Sequence, residues 1–296
     1  MFAMSLLVVQ TAAAQKQATG LKNPVAMTSH GKTGHVFLVE AGEDRLIRWD
    51  GEKIDPLYDA LSTSDTKLAK VSGVIFRDGN RLSLLGYADE EGKTARIATL
   101  KLDVDKPAEF DSAMSRDLLI EDSIVFGAMT STDLFIYFAT NAKNGQHKLW
   151  QLETGKATLG KPRAMQTLEG KAESLAVTPQ GHVVAAIQKD SKSTLQFFHA
   201  HNGQRLLVVP TDLENISSLS YNRQSKLLYA TGSKSERSGV YRLDVFFNGS
   251  KQSVRAAEVA AIEMAKGVTI SKQRSVVMVG GETDGRLLTI ELADGR

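Results

Sequence analysis

The fold is decided by three short strand-like runs within residues 24–49, PVAMTSHGKTGHVFLVEAGEDRLIRW. The run at residues 24–28 is rich in small side chains, and the run at 35–39 is almost continuously apolar. The run at 45–49 alternates between apolar and charged side chains. Because strands covered on both faces are nearly continuous in hydrophobicity, this series predicts three consecutive strands with a buried middle member.

The same series recurs five more times along the chain. Equivalent positions in the first strands are separated by about 43 to 54 residues; they are Ala26, Val74, Ala128, Ala176, Leu219 and Val268. Repeats of about 40 to 50 residues are typical of β-propeller blades. The sequence therefore predicts an all-β, six-bladed β-propeller with four-stranded antiparallel blades. Two stacked sandwiches, the alternative, would not require a six-fold repeat. The small residues Ala26, Ala128 and Ala176 are expected near the narrow inner region.

The two ends of the repeat complement each other. The last copy stops after its third strand, at residues 286–290, and residues 15–20 precede the first complete copy without a blade of their own. Pairing them would remove two open sheet edges, which otherwise template aggregation. We expect one domain over residues 15–296, closed by the N-terminal strand in the last blade.

The first 14 residues, MFAMSLLVVQTAAA, combine an apolar core with a run of small residues. This pattern predicts a signal peptide and hence an exported protein, periplasmic or secreted. A buried N-terminal strand is the alternative. No other stretch has the roughly 18 to 20 apolar residues that a membrane span needs, so no membrane span is expected.

Composition excludes several functions. The 36 Lys and Arg residues nearly balance the 34 Asp and Glu residues, and aromatic residues make up 6%. Nucleic acid is therefore not an expected partner. The chain has no Cys, which rules out disulfides and all chemistry that depends on a thiol.

The opening copy resembles the blades of a known group of proteins. Its residues 20–24, 33–39 and 44–51 are similar to the repeats of NHL-repeat proteins and of senescence-marker-protein or gluconolactonase-like propellers. The resemblance covers the repeat pattern over nearly the whole chain. It implies a central channel with a ligand surface at one end, in proteins that range from interaction modules to calcium-dependent lactonases.

Candidate ligand-binding residues lie in the loops that join one blade to the next. These loops share a face of the ring, and function usually gathers on such loops. Carboxylate and amide oxygens that converge there suit Ca²⁺, which prefers about six to eight oxygen ligands. The candidates are Asn23, Glu121, Glu173, Asn215 and Glu263. Acidic loops are also the ordinary solvated rim of a soluble protein, so both interpretations stay open.

No nucleophile elbow, phosphate-binding loop or HExxH motif is present. His199 and His201 are spaced to supply two ligands of a metal site, but the sequence nominates no third ligand. The leading expectation is a monomeric exported module that binds a protein or a small molecule through one face of the ring. The alternative is a calcium-dependent hydrolase of the lactonase-like propeller type.

Overall fold

The computed structural model describes residues 16–77, 80–103, 106–120, 122–141, 144–155, 157–189, 192–248, 251–271, 274–281 and 284–292. Its strands form six antiparallel sheets, one for each repeat of the sequence. The prediction of a six-bladed β-propeller is confirmed.

The first strand of each blade lines the centre of the ring, and the later strands follow outward. The last blade takes its outer strand from the N-terminus, β1 (Lys16–Leu21). Blade 1 comprises β2 (Pro24–Ser29), β3 (Val36–Glu40), β4 (Arg45–Trp49) and β5 (Ile54–Tyr58). Blade 2 comprises β6 (Ala69–Phe76), β7 (Arg81–Tyr87), β8 (Ala95–Asp103), β9 (Lys106–Phe110) and β10 (Arg116–Asp117). A 3-10 helix (Ser112–Met114) separates β9 from β10, and both strands pair with β8.

The remaining blades have the same order. Blade 3 comprises β11 (Ser123–Ser131), β12 (Phe135–Asn141), β13 (His147–Thr154) and β14 (Leu159–Leu168). Blade 4 comprises β15 (Lys171–Val177), β16 (His182–Lys189), β17 (Lys192–His199) and β18 (Arg205–Pro210). Blade 5 comprises β19 (Asn215–Asn222), β20 (Leu227–Lys234), β21 (Arg237–Asn248) and β22 (Lys251–Ala261). Blade 6 adds β23 (Ala265–Ser271), β24 (Arg274–Val279) and β25 (Gly285–Glu291) to β1.

The ring closes between β1 and β25. These strands are antiparallel, with Lys16 opposite Thr289 and Ala18 opposite Leu287. Leu21 is 1% exposed and packs with Leu287 and Trp49 in one apolar cluster between the last and first blades. The predicted closure by the N-terminal strand is therefore confirmed.

The inner strands also contact one another through hydroxyl groups. The Ser174 Oγ accepts a hydrogen bond from Leu219 N at 2.9 Å, and the Ser218 Oγ accepts one from Val268 N at 3.2 Å. Each bond joins one blade to the next. Because an innermost strand has an unpaired edge, these hydroxyls satisfy backbone groups that would otherwise lack a protein partner.

Every inner strand has a register shift near its start where it pairs with the second strand. In four blades the shift leaves one unpaired residue, which lies between the two paired positions: Val25, Glu173, Ser217 and Lys266. Blades 2 and 3 have longer shifts, between Ala69 and Gly73 and between Ile124 and Met129. Such β-bulges bend a strand and redirect side chains.

Candidate functional site

A cavity of about 1200 Å³ runs along the centre of the ring. All six inner strands contribute to its wall. The inner strands all begin at one end of the cavity and finish at the other. We call the end where they begin the upper mouth and the end where they finish the lower mouth.

Four bulge residues line the cavity at the upper mouth. They are the unpaired residues of the four single-residue shifts: Val25, Glu173, Ser217 and Lys266. Two predicted residues, Asn23 and Asn215, stand two positions before Val25 and Ser217 and also line the cavity. The bulges thus present polar groups from several blades at one end of the channel.

Asn23 is held between the last blade and the first. Its N–H donates to Gly281 O at 3.1 Å, and its own carbonyl accepts from Ala41 N at 3.1 Å. Its φ is 50°, in the left-handed region that Asn adopts more readily than most residues. The ring closure therefore fixes the backbone of a residue that lines the upper mouth.

The loop before Asn23 is anchored by a buried acid. Glu40 is completely buried; its Oε1 accepts from Lys22 N at 2.5 Å and its Oε2 from Arg45 Nε at 2.6 Å. Lys22 also forms an exposed ion pair with Glu43. Glu40 is thus a structural residue of the upper face.

Glu173 is the acid that lines the upper mouth among the described residues. Its carboxylate pairs with Lys171 Nζ at 2.9 Å, and its side chain is 25% exposed. His147, at the start of β13, is close enough to interact electrostatically with this pair. Burial and the Lys171 charge lower the pKa of His147, and Glu173 partly offsets the effect. His147 Nδ1 shares a hydrogen bond with Asn141 Oδ1 at 2.5 Å.

Lys266 is a cationic residue of the upper mouth that the sequence analysis did not nominate. Its side chain lies over Gly280, where a Cβ would overlap Lys266 Cδ and Cε. Ser217, the neighbouring bulge residue, bonds Thr231 Oγ1 at 2.9 Å. Neither residue forms part of a recognisable motif. What identifies both residues is the β-bulge at their positions, and a bulge depends on the pairing between strands.

The other predicted residues have different locations. Glu263 is exposed in the turn before β23 and does not line the cavity. Glu121 lies outside the described residues. His199 ends β17 and His201 lies in the following turn, away from the cavity wall. Ala26 and Ala176 line the cavity as expected, whereas Ala128 is completely buried in a cluster with Tyr137 and Leu175.

The donors of the upper mouth are suited to a hard cation. Asn23, Glu173 and Asn215 offer amide and carboxylate oxygens from three blades. Ca²⁺ is bound by such oxygens, whereas Zn²⁺ prefers His and Cys. Over the described ranges, no three His, Cys, Asp or Glu side chains form a metal-binding group. The described residues therefore offer the kind of oxygen donor that Ca²⁺ prefers, with a single carboxylate in the donor set.

Comparison with solved structures gives the same architecture. A gluconolactonase from Xanthomonas campestris matches with a TM-score of 0.59 and 16% identity, over 94% of this chain and 91% of that chain. A luciferin-regenerating enzyme matches with a TM-score of 0.64 and 11% identity, over 94% of this chain and 96% of that chain. The PQQ-bound aldose sugar dehydrogenase of Streptomyces coelicolor has a TM-score of 0.64 and 12% identity, over 95% and 98%. No protein-family model and no curated protein sequence matches the chain.

The fold and the cavity define the chain as a six-bladed β-propeller whose structural neighbours include gluconolactonase-like propellers. Among the described residues, no helix is long and apolar enough to cross a lipid bilayer.

Proposed function

We propose that this protein binds a small polar molecule at the upper mouth and hydrolyses a lactone there with the help of a divalent cation. The observation that carries the proposal is the presence of oxygen donors from three separate blades, Asn23, Glu173 and Asn215, at one end of a single cavity. Two structural neighbours named as gluconolactonases support the hydrolase over a purely structural role.

The described residues would have different roles in this reaction. Asn23, Glu173 and Asn215 would hold the cation through their oxygen atoms. When bound, Ca²⁺ supplies a Lewis acid that polarises the ester carbonyl. Lys266 adds a positive charge at the same mouth, where it can stabilise the negative charge that develops on that carbonyl oxygen. Because few ligand charges weaken Ca²⁺ sites, we expect a Kd on the order of 10⁻⁴–10⁻³ M.

A second function, ligand binding without catalysis, is favoured by one observation. Glu173 is already paired with Lys171, and Lys266 lines the same mouth. These two cations oppose the binding of a third. The upper mouth would then hold a neutral or acidic small molecule, in keeping with the exported module expected from the sequence. Export remains a prediction, because residues 1–14 lie outside the described residues.

One experiment separates the two functions. Ca²⁺ is titrated calorimetrically into the purified protein, and hydrolysis of five- and six-membered sugar lactones is followed by acid release, with the spontaneous rate subtracted. The hydrolase proposal expects turnover that EDTA abolishes and that E173Q lowers by about 100-fold or more, because the substitution removes the one described carboxylate of the donor set. E263Q is the matched control, since Glu263 belongs to an exposed turn outside the cavity; it should retain wild-type activity.

The opposite pattern would support the binding module. The hydrolase would be ruled out if sugar lactones or sugars bound the apo protein without turnover and the titration with Ca²⁺ gave no heat of binding. Equal losses in E173Q and E263Q would show that the upper mouth is not the site.

A further inference from the structure

The lower mouth of the cavity collects positive charge. Four residues line it: Lys32, Arg77 and Arg223 have cationic side chains, and the side chain of His30 can become cationic. They follow β2, β6 and β19, so three different blades bring them to one end. Asp133, exposed in the turn after β11, is the acid that lines this end among the described residues. Among the described lining residues of this end, cationic or potentially cationic side chains therefore outnumber acids.

These groups differ in how firmly they are held. Arg77 is 8% exposed, so its guanidinium is part of the wall rather than of the solvated surface. The His30 ring lies 4.3 Å from the Phe76 ring between centroids, and Phe76 stacks on Phe37 at 5.5 Å. His30 Nδ1 shares a hydrogen bond with Thr33 Oγ1 at 2.8 Å. The mouth thus has an aromatic base, an ordered imidazole and a buried guanidinium, whereas Lys32 and Arg223 are exposed.

The charges that act most on the pKa of His30 all lower it. Burial lowers its pKa, and the positive charges of His35 and Lys32 lower it further. Arg77 and Arg223 line the same mouth from two other blades, with Asp133 on a third. An additional proton is disfavoured where positive charge already accumulates. A bound anion would reverse that effect.

We propose that the lower mouth is a binding site for a small molecule with two or more negative charges, such as a phosphate or a polycarboxylate. Guanidinium groups bind phosphate and carboxylate oxygens through two parallel hydrogen bonds, and an ammonium group adds a point charge. Two arginines, a lysine and an imidazole on one rim match such a ligand better than they match a neutral one.

This site is separate from the upper mouth. Asn23 and His30 stand at opposite ends of β2, about seven residues or roughly 23 Å apart along an extended strand. A molecule of the size of phosphate or citrate cannot reach both ends. The anion site therefore does not depend on the proposed lactone hydrolysis, and either can fail alone.

Inorganic phosphate is the first probe, titrated calorimetrically into the full protein at low ionic strength in a phosphate-free buffer near pH 7. We expect saturable binding at one site and a Kd for acetate at least tenfold weaker. R223Q and K32Q remove exposed cations and should each weaken phosphate binding about tenfold, since hydrogen bonds to charged groups contribute that much. K161Q is the matched control, because it removes one exposed charge from the outer strand of blade 3.

Histidine NMR signals locate the bound anion. Saturating phosphate should shift the ring signals of His30 and raise its pKa, while the ring signals of His147, near the Lys171–Glu173 pair, stay in place. Three results would each overturn the proposal. Phosphate could bind K161Q as weakly as it binds R223Q, acetate could bind as tightly as phosphate, or the NMR signals could shift at His147 instead of His30.

Discussion

The two mouths of the channel are built from the same six strands but differ in charge and in support. At the upper mouth, bulges present single residues such as Glu173 and Lys266 to the cavity, and Glu173 is paired with Lys171. At the lower mouth, turns after the inner strands bring together His30, Lys32, Arg77 and Arg223, with Asp133 as the one lining acid among the described residues. One ring can therefore present two chemically different surfaces, because the ends of a strand belong to different loops.

Support also differs between the mouths. The upper mouth is tied to the segment that follows the closing strand, since Asn23 bonds to Gly281 in the last blade and to Ala41 in the first, and Lys22 bonds to Glu40 in the first. At the lower mouth, blade-to-blade contacts include Ser271 Oγ donating to Gly34 O, in the turn between β2 and β3, at 2.9 Å, and Thr28 Oγ1 accepting from Phe76 N at 3.2 Å. Damage to the closing strand should therefore affect the upper mouth first.

The largest effect is expected from deletion of residues 16–21. The deletion removes the ladder with β25, whose bonds contribute about 1 kcal/mol each, and exposes the apolar side of blade 6. The Tm should fall by at least about 5 °C, and the open edge should promote association. Thermal unfolding and light scattering measure the two effects. A variant that lacks only residues 1–14 is the control and should keep the Tm; an unchanged Tm after the longer deletion would contradict closure through β1.

A smaller effect is expected from E40A. The substitution leaves Arg45 Nε and Lys22 N without their buried acceptor, which should lower the free energy of unfolding by about 3 kcal/mol. Chemical denaturation measures the loss. E43A is the matched control, because Glu43 also contacts Lys22 but at the surface, where an ion pair contributes little. If both variants lost the same stability, Glu40 would not be the anchor of the upper face.

The smallest expected effect is on the pH dependence of the free energy of unfolding, which distinguishes His30 at the lower mouth from His147 on the opposite face. His30 and His147 have pKa values below the ordinary 6.5, so the unfolded chain binds their protons more readily than the folded protein. The free energy of unfolding should therefore carry no penalty from these two histidines above about pH 7.5. It should fall as the pH drops through 6.5 toward their pKa values in the folded protein. H30N and H147N should each flatten the slope of unfolding free energy between pH 7.5 and 5.5.

Phosphate sharpens this test. Because an anion at the lower mouth would favour the protonated His30, phosphate should flatten the slope of H147N, which retains His30, more than that of H30N. Slopes that match the wild type in both variants would show that neither histidine is linked to folding in this range.

Much of the architecture could be predicted from residue patterns. The six copies and the apolar second strands predicted six blades, and the unmatched ends predicted the closing strand, because hydrophobic periodicity is local and repeats with the blade. Asn23, Glu173 and Asn215 could be nominated because their loops have fixed places in that repeat. Glu263 was placed by the same rule, yet it lies outside the cavity, since a loop position does not determine which way a side chain points.

The sequence by itself determined the number of blades, their order and the way the ring closes, because these follow from a repeat of about 50 residues and from its two unmatched ends. Tertiary structure decided which of the nominated side chains line the channel and which others join them. The bulges that present Ser217 and Lys266 depend on register between strands, and the positive lower mouth joins His30 to Arg223, which are far apart in the chain. Convergence of this kind depends on the geometry of the closed ring, and no local pattern records it.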